Sequence, residues 1–300
     1  MSGTEQGRDA PLPRALELFS GIGGWTAAAE GLLDIAAAWD LSEAANTAYA
    51  HNWGRDPDPR NLAGAIAGDL GRHGEAGWLM SPPCQPYTQK GEQLDVDDPR
   101  AVPLLRLLRI LHEVMPPFLL LENVPPFGES RARERLIQKL TSLEYHLREV
   151  ELCPTEIGIP NLRRRYYLVA RRTPLPEAPP LPRFDRSLGS YLDPAPDPEL
   201  IVDQDVIRRR GRGMDFVTPD SPRTACFGSS YGRAMKRAGS YLSHDGVTRR
   251  FSPEEMIRLL HFPDTFTFPS DLPVRTRYKL AGNSVNVAVL QHLVRWVLMP

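Results

Sequence analysis

The 300-residue sequence is poor in cysteine, lacks any long apolar run and carries no excess of charge of either sign. Its three cysteines, Cys84, Cys153 and Cys226, are too few for a disulfide framework and lack the spacing of a zinc site. We therefore expect no metal and a reducing, cytoplasmic location. No apolar run approaches the roughly 18 residues of a membrane span, and the polar N-terminus lacks the apolar core of a secretory signal.

The charges are balanced, with 36 Lys and Arg residues against 37 Asp and Glu residues. Any nucleic-acid interface must then be confined to one region of the surface. Hydrophobic residues make up 41% of the chain, and a chain of this length can bury a sizeable core. Disorder is therefore excluded as the dominant state.

Apolar strand-like segments alternate with segments of helical spacing over the first 170 residues. This alternation is typical of a doubly wound, Rossmann-like α/β domain. The expected strands are 14–19, 34–39, 76–80 and 118–121 with a hairpin of 145–152 and 166–170, and the expected helices are 25–32, 42–50, 102–114, 131–143, 253–260 and 284–298. A proline-rich stretch begins at residue 171 and indicates a crossing into a second, smaller domain.

A glycine-rich turn, Phe19-Ser20-Gly21-Ile22-Gly23-Gly24, lies between an expected strand and an expected helix. Glycines let a ligand approach the backbone, and a helix N-terminus offers free N–H groups. The turn departs from G-x-G-x-x-G, which counts against a nicotinamide cofactor, and alone it is equally consistent with a tight structural turn. Asp40, which follows the next strand, is placed to bind a ribose hydroxyl pair. Asp69 is either an acceptor for an adenine amino group or a turn residue.

A cysteine follows the third expected strand in the loop Ser81-Pro82-Pro83-Cys84-Gln85-Pro86. Prolines stiffen this loop, and the carboxyl end of a strand lies at the ligand-binding edge of an open α/β sheet. This placement favours a nucleophilic thiol at Cys84 over a buried packing residue. We interpret Cys153, in contrast, as a buried packing residue. Glu122 follows an apolar strand at the same edge, either as a capping residue or as a general acid, and the nearby cysteine favours the acid.

Five segments occur along the chain in the order FSGIGG, SPPCQP, LLLENV, IPNLRRRYYLVAR and LAGNSVNVAVL. Together they resemble the cytosine-C5 methyltransferase family, whose members transfer a methyl group from S-adenosylmethionine to carbon 5 of a cytosine in a polynucleotide. The resemblance implies an S-adenosylmethionine-dependent methyltransferase fold. It also implies a cofactor-binding catalytic domain at 14–175, a small target-recognition domain at 176–248 and a return to the catalytic domain at 249–300.

The resemblance further implies roles for individual residues. Cys84 would attack carbon 6 of cytosine, and Glu122 would donate a proton to N3. Asp40, where the family usually has Glu, would bind the ribose of the cofactor, and Asp69 would contact its adenine. Two arginines beside the base, Arg163 and Arg165, would complete the catalytic set. The other cofactor residues would come from the glycine turn and from the last motif, LAGNSVNVAVL: Phe19, Gly21, Ile22, Gly23, Gly24, Asn283 and Ser284.

The variable segment 171–248 decides the substrate. Within it, TACFGSSYG (224–232) is similar to the Cys-Phe-Thr…Tyr-Gly segment of the branch that methylates position 38 in the anticodon loop of tRNA(Asp), with Gly228 where that branch has Thr. We therefore favour a tRNA cytosine-C5 methyltransferase. A DNA cytosine-C5 methyltransferase, such as one of a restriction–modification pair, is the alternative, and a polynucleotide-binding protein without catalysis is a third hypothesis.

Residues 205–250 carry ten Lys and Arg residues and only four acidic residues. Such a patch suits phosphate binding, and RNA loops offer unstacked bases, although a charge run can also be no more than a solvated face. Cys226 either packs inside the protein or lines the RNA path. We predict a monomer, in which the substrate-binding residues are Arg209, Arg210, Cys226, Phe227, Tyr231, Lys236 and Arg237.

Overall fold

The computed structural model describes residues 11–88, 94–195 and 197–300, with the exception of the Arg210 side chain. Its helices and strands follow the alternation predicted from the sequence. The main strands are β1 Arg14–Leu18, β2 Asp34–Trp39, β3 Ala76–Met80, β4 Phe118–Asn123, β5 His146–Leu152 and β6 Arg165–Arg171. The helices are α1 Gly24–Ala29, α2 Glu43–Trp53, α3 Ala67–Gly71, α4 Val102–Val114, α5 Arg131–Ser142, α6 Gln204–Arg210, α7 Pro253–Leu259, α8 Val274–Asn283 and α9 Val287–Leu298.

The six main strands form one mixed sheet in the order β2-β1-β3-β4-β6-β5. The first four are parallel, and β5 and β6 are the antiparallel hairpin that the sequence predicts. Because β6 runs against β4, the beginning of β6 lies at the same edge as the end of β4. The residues that follow β1, β3 and β4 and those that open β6 therefore meet at one edge of the sheet.

Helices cover both faces of the sheet and bury two separate cores. On β4, Leu119 and Leu121 face a core shared with α4 and α5, whereas Phe118 and Leu120 face a core shared with α1 and α9. A strand buried on both faces must be apolar at every position, which accounts for the uninterrupted run of β4. This doubly wound arrangement confirms the predicted α/β fold class.

Two helix predictions need correction. The helix expected at 25–32 ends at Ala29, because Gly31 adopts a positive φ of 69° that starts the turn into β2. The helix expected at 284–298 begins only at Val287, where Asn286 caps its N-terminus. Helix α8 is not among the predicted helices, since it mixes charged residues with its buried face and so shows a weak apolar period.

A second, three-stranded sheet lies in the variable part of the chain. It consists of β7 Asp215–Val217, β8 Ser240–His244 and β9 Val247–Arg250, in the order β7-β8-β9. The proposed boundary at residue 248 falls inside β9, and the division into three segments otherwise stays a prediction. No helix of the described residues is long and apolar enough to cross a membrane.

The variable segment joins the catalytic domain through a contact between two glycines. A Cβ at Gly282, near the end of α8, would lie 2.5 Å from the carbonyl carbon and oxygen of Gly228. Real Cβ atoms do not approach backbone this closely, so the two backbones can meet only because residue 282 has no side chain. The residues directly after Gly282 belong to the cavity described below.

We expect Gly282→Ala to lower the free energy of unfolding by about 1–3 kcal/mol, because its methyl group pushes two backbone segments apart. The same change should weaken cofactor binding, since Asn283 and Ser284 would move with the helix. Urea unfolding and isothermal titration with S-adenosylmethionine measure the two effects. Gly68→Ala, at a site on α3 with open space around the added Cβ, is the matched control and should not destabilise the protein. Equal stability of both variants would contradict this account.

Candidate active site

A cavity of about 540 Å³ opens at the edge of the main sheet where β1, β3 and β4 end. The glycine turn after β1 and the loop after β2 line one side of it. The cysteine loop after β3, the end of β4 and the beginning of β6 line the other side, and the end of α8 closes it. The predicted site residues that line this cavity are Phe19, Gly21, Ile22, Gly24, Asp40, Cys84, Glu122, Arg163, Arg165, Asn283 and Ser284.

The glycine turn is shaped by the close packing of two side chains against it. A Cβ at Gly23 would lie 2.1 Å from Nε1 of Trp53, and one at Gly24 would lie 2.3 Å from a methyl group of Val285. Gly23 also has a φ of 87°, which only glycine adopts readily. Gly23 therefore shapes the turn but does not line the cavity itself.

Asp40 holds the glycine turn through its carboxylate. Its Oδ2 accepts a hydrogen bond from the backbone N–H of Gly21 (2.8 Å), and its Oδ1 accepts one from the backbone N–H of Ser42 (2.8 Å). Burial raises the pKa of this carboxyl group, although both hydrogen bonds oppose that shift. Asp40 thus orders the loop at the place where the resemblance expects the ribose of the cofactor.

Glu17 is a site residue that the sequence analysis did not identify. Its side chain is fully buried at the cavity floor, accepts a hydrogen bond from the Trp25 N–H (2.9 Å) and bonds the Thr26 hydroxyl (2.5 Å). The hydroxyl of Tyr49 lies 2.6 Å from that of Thr26 and extends the network. Burial raises the pKa of Glu17 from 4.5 to about 7, even though these hydrogen bonds lower it. The sequence signal that could have identified Glu17 is a carboxylate inside the apolar strand β1.

The residues present fit a polar cofactor on this side of the cavity. The hydroxyl of Ser20 is buried without a hydrogen-bond partner among the described residues, and it lines the cavity. Asn61 and Leu62, from the loop before α3, line the same side. An unpartnered buried hydroxyl beside the polar side chains of Asp40 and Asn61 suits a ligand with its own polar groups, such as S-adenosylmethionine.

Asp69 is not placed as the sequence analysis expected. Its carboxylate accepts hydrogen bonds from the Ile66 N–H (3.0 Å) and from Arg60 (2.9 Å), and it faces a smaller neighbouring cavity. It therefore caps α3, which is the turn-residue alternative. Asn61, which lies eight residues earlier in the chain, lines the main cavity instead.

The cysteine loop is held from two sides. The side-chain amide of Asn123 donates to the carbonyl of Pro82 (3.1 Å), and the Trp25 indole N–H donates to the hydroxyl of Ser81 (3.0 Å). These bonds fix the loop to β4 and to α1. Cys84 is half-buried and lines the cavity. Burial raises the pKa of its thiol, the charge of Glu122 raises it further, and the guanidinium groups of Arg165 and Arg163 oppose the shift.

Glu122 and Arg165 form a buried ion pair beside this thiol. Glu122 Oε1 lies 3.2 Å from Arg165 Nε, with only 9% and 16% of the two side chains exposed. Burial raises the pKa of Glu122 despite the nearby guanidinium groups of Arg165 and Arg163. A carboxyl group that keeps its proton longer than usual in a closed cavity is suited to act as a general acid.

Arg163 ties three segments of the chain together. It donates to the carbonyl of Phe227 (3.1 Å) in the variable segment, and to the carbonyls of Gly282 (3.1 Å) and Ser284 after α8. Its Nε is buried and has no partner among the described residues. Arg163 therefore holds the cavity wall and leaves one N–H group for a ligand.

The predicted substrate residues divide into buried and exposed sets. Phe227 and Tyr231 are core residues whose rings pack 4.9 Å apart, and the Tyr231 hydroxyl donates to the Ser240 carbonyl (2.6 Å), so the prediction that they contact RNA is wrong. The thiol of Cys226 lies 3.4 Å from Arg163 Nη1 and outside the cavity lining. Burial opposes its ionisation, but Arg163 and Arg165 lower the pKa of Cys226.

The basic patch is smaller than the residue count indicated. Arg249 is buried and paired with Glu255 (2.7 Å), and Arg208 pairs with Asp205, so neither is available to RNA as an unpaired charge. The side chain of Arg210 lies outside the described residues. Exposed members of the patch include Arg209, Arg212, Arg233, Lys236 and Arg237. Lys279 on α8 is exposed at the cavity, and it is not among the predicted site residues because α8 itself was not predicted.

Comparison with known proteins identifies the family to which this site belongs. The model of the family "C-5 cytosine-specific DNA methylase" matches residues 14–196 and 202–298. The chain belongs to this family. The predicted resemblance and the predicted enzyme class are therefore confirmed. The predicted roles of Cys84 and Glu122 stay predictions.

Individual relatives cover nearly the whole chain. The tRNA (cytosine(38)-C(5))-methyltransferase of Schizosaccharomyces pombe is 32% identical over 96% of this chain and 97% of its own length. A DNA (cytosine-5)-methyltransferase of Dictyostelium discoideum is 27% identical over 96% of this chain and 94% of its own. The structure of the Entamoeba histolytica methyltransferase EhMeth aligns with a TM-score of 0.91 and 29% identity, over 96% of this chain and 98% of that one.

The raised pKa of Glu17 predicts how stability depends on pH. Native Glu17 keeps its proton up to about pH 7, whereas the unfolded chain releases it near pH 4.5. The stabilisation from this group is therefore complete below pH 4.5 and is lost as the pH rises through 7, a change of about 3 kcal/mol. Glu17→Gln, which keeps the hydrogen bonds without the titration, should lack this loss.

Urea unfolding of the wild type and of Glu17→Gln at pH 5 and pH 7.5 measures this effect, since other titrating groups cancel in the difference. Glu43→Gln, at an exposed position on α2, is the control and should follow the wild type. If the stability of Glu17→Gln fell with pH as much as that of the wild type, Glu17 would not hold the proton.

Proposed function

We propose that the chain is a tRNA (cytosine-C5) methyltransferase that acts on an anticodon-loop cytosine, position 38 of tRNA(Asp), with S-adenosylmethionine as the methyl donor. The observation that carries the proposal is the meeting of Cys84 with the Glu122–Arg165 pair in one cavity with the glycine turn. The name of the Schizosaccharomyces pombe relative, which covers nearly the whole chain, supports tRNA as the substrate. A cytoplasmic location and a monomeric state are parts of this proposal that rest on the sequence alone.

The chemistry of cytosine explains why a thiol and a carboxyl group are needed together. Carbon 5 of cytosine is a poor nucleophile. When the Cys84 thiolate forms a bond to carbon 6, the ring electrons shift to N3, and Glu122 transfers its proton to N3. Carbon 5 thereby gains enamine character. Covalent catalysis thus divides one difficult step into easier ones. Removal of the carbon 5 proton later restores the double bond, breaks the S–C6 bond and releases the thiolate.

The cavity residues prepare these steps. When it holds a proton, Glu122 carries the proton that N3 needs and no longer adds the negative charge that opposes a thiolate at Cys84. Arg163 and Arg165 favour the thiolate through their positive charge. When bound, S-adenosylmethionine supplies the electrophilic methyl group, and the residues that would hold it are Ser20, Asp40 and Asn61 with the glycine turn.

RNA is favoured over duplex DNA by the accessibility of the base. A stacked cytosine cannot reach a half-buried thiol, so the base must leave its stack at a cost of a few kcal/mol, which is smaller in a loop. The alternative is a DNA cytosine-C5 methyltransferase, which the Dictyostelium discoideum relative favours. Both would share one catalytic set, so only the variable segment separates them. A binding protein without catalysis is disfavoured because Cys84, Glu122 and Arg165 are all in place.

Incubation with labelled S-adenosylmethionine tests the substrate and the nucleophile together. We expect label in tRNA but not in duplex DNA, and no label with Cys84→Ala, although this variant should bind the cofactor normally because the thiol is only one part of a large cavity. Cys153→Ala, which removes a thiol outside the cavity lining, is the matched control and should stay active. Label in DNA alone would reject the tRNA proposal, and turnover by Cys84→Ala would reject covalent catalysis.

Charge reversal tests the reduced basic patch. Arg209→Glu and Lys236→Glu should each weaken tRNA binding and lower the slope of log K against log salt by about 1, because each loses a phosphate contact. Filter binding at several salt concentrations measures the slope. Arg109→Glu, at an exposed position on α4, is the control and should leave the slope unchanged. An unchanged slope in the first two variants would place the RNA elsewhere.

A further inference from the structure

One aromatic side chain is exposed, and it is not one that the sequence analysis selected. All five Trp, nine Tyr and ten Phe residues of the chain lie within the described residues, and Phe216 is the one among them that is exposed, with 42% of its surface accessible. Phe227 and Tyr231, the aromatic residues first expected to meet RNA, are 4% and 0% exposed. An exposed ring in a chain whose other Trp, Tyr and Phe residues are buried or partly buried calls for an explanation.

The strand β7 fixes the position of Phe216. Its neighbours face inward: Val217 is buried, and the carboxylate of Asp215 accepts a hydrogen bond from the Ser240 hydroxyl (2.5 Å). Phe216 pairs in register with Tyr241 of β8, and the two ring centroids lie 6.3 Å apart. Because side chains alternate along a strand, Phe216 stands on the face opposite to Asp215 and Val217, on an edge strand whose backbone is held by the ladder. The ring is therefore a rigid apolar surface open to solvent on one side.

Basic residues lie on the two loops that precede β7 and β8. A Cβ at Gly213, three residues before Phe216, would lie 3.7 Å from Cδ of Lys236, so the loop before β7 touches the basic loop before β8. Arg212 and Arg233 are also exposed on these two loops. The acid closest in sequence, Asp215, is occupied by Ser240. The combination of an open ring with flexible cations matches a nucleotide, which has a flat base and a phosphate.

A chain of contacts connects this surface to the catalytic cavity. Gly232, which precedes the basic loop, packs so closely on Tyr278 that a Cβ would lie 2.8 Å from its ring. The next residue of α8 is Lys279, which is exposed at the cavity. The segment that leads into the basic loop thus packs on the helix whose Lys279 lines the cavity.

We propose that Phe216 stacks on an unpaired base of the RNA substrate while Lys236 and its neighbours hold the adjoining phosphates. This inference rests on the proposed tRNA substrate and adds a second recognition point, outside the catalytic cavity. It assigns to β7 the role of a platform for a base that is not itself methylated. Stacking accepts any base, so the platform contributes affinity and register rather than sequence readout.

The test compares Phe216→Ala, Phe216→Leu and Phe216→Trp in binding to a single-stranded RNA oligonucleotide and to a tRNA transcript without cofactor. The Ala and Leu variants should bind about tenfold more weakly, since both lose the flat ring. The Trp variant should bind at least as well as the wild type, and RNA should quench its added fluorescence. With tRNA as the methyl acceptor, KM should rise in the Ala variant while kcat stays unchanged.

Val247→Ala is the matched control, because Val247 is 43% exposed on the same small sheet but lies at the β8–β9 hairpin end, away from the basic loops. It should bind RNA as the wild type does. If the Leu variant bound like the wild type, or if RNA left the Trp fluorescence unchanged, the stacking role would be overturned. A wild-type chain that bound RNA through Phe216 but did not methylate tRNA would instead reject the proposed function and leave the platform standing.

Discussion

The buried ion pair between Glu122 and Arg165 is the interaction on which the rest of the active site depends. A carboxylate at the end of an apolar strand would be too costly without a partner, and Arg165 supplies one from the neighbouring strand at 3.2 Å. The pair places both groups beside the Cys84 loop. Because burial still raises the pKa of Glu122, the same pair leaves this residue able to carry a proton. The Glu122–Arg165 contact thus both stabilises a buried carboxyl group and positions it to act as an acid.

Arg163 extends this centre to the rest of the molecule. Its hydrogen bonds to the carbonyls of Phe227, Gly282 and Ser284 connect the variable segment with the end of α8, and the contact of Gly228 with Gly282 brings the same two segments together. The part of the chain expected to recognise the substrate is therefore packed directly on the wall of the catalytic cavity. A substrate that moved the variable segment would also act on the residues that close the cavity.

The variable segment shows how aromatic residues near basic ones can be misread in a sequence. Phe227 and Tyr231 stand beside Arg and Lys residues in the chain, yet they form the core on which the segment folds, while the isolated Phe216 is exposed. Spacing along the chain could not separate the two cases, because irregular segments have no period that marks an inner face. The same reasoning applies to Arg249, whose positive charge is consumed by Glu255 inside the protein.

The sequence by itself determined the alternation of the six main strands with helices, the glycine turn, the cysteine loop and the acid after β4, because these depend on local rules of backbone geometry and on apolar runs. The resemblance of five ordered motifs likewise determined the family. Only the tertiary structure decided which residues meet: that Asn61 rather than Asp69 lines the cavity, that Glu17 lies at its floor, and that Phe216 rather than Phe227 is exposed. These facts depend on contacts between residues far apart in the chain, and a linear pattern carries no information about what packs against a given side chain.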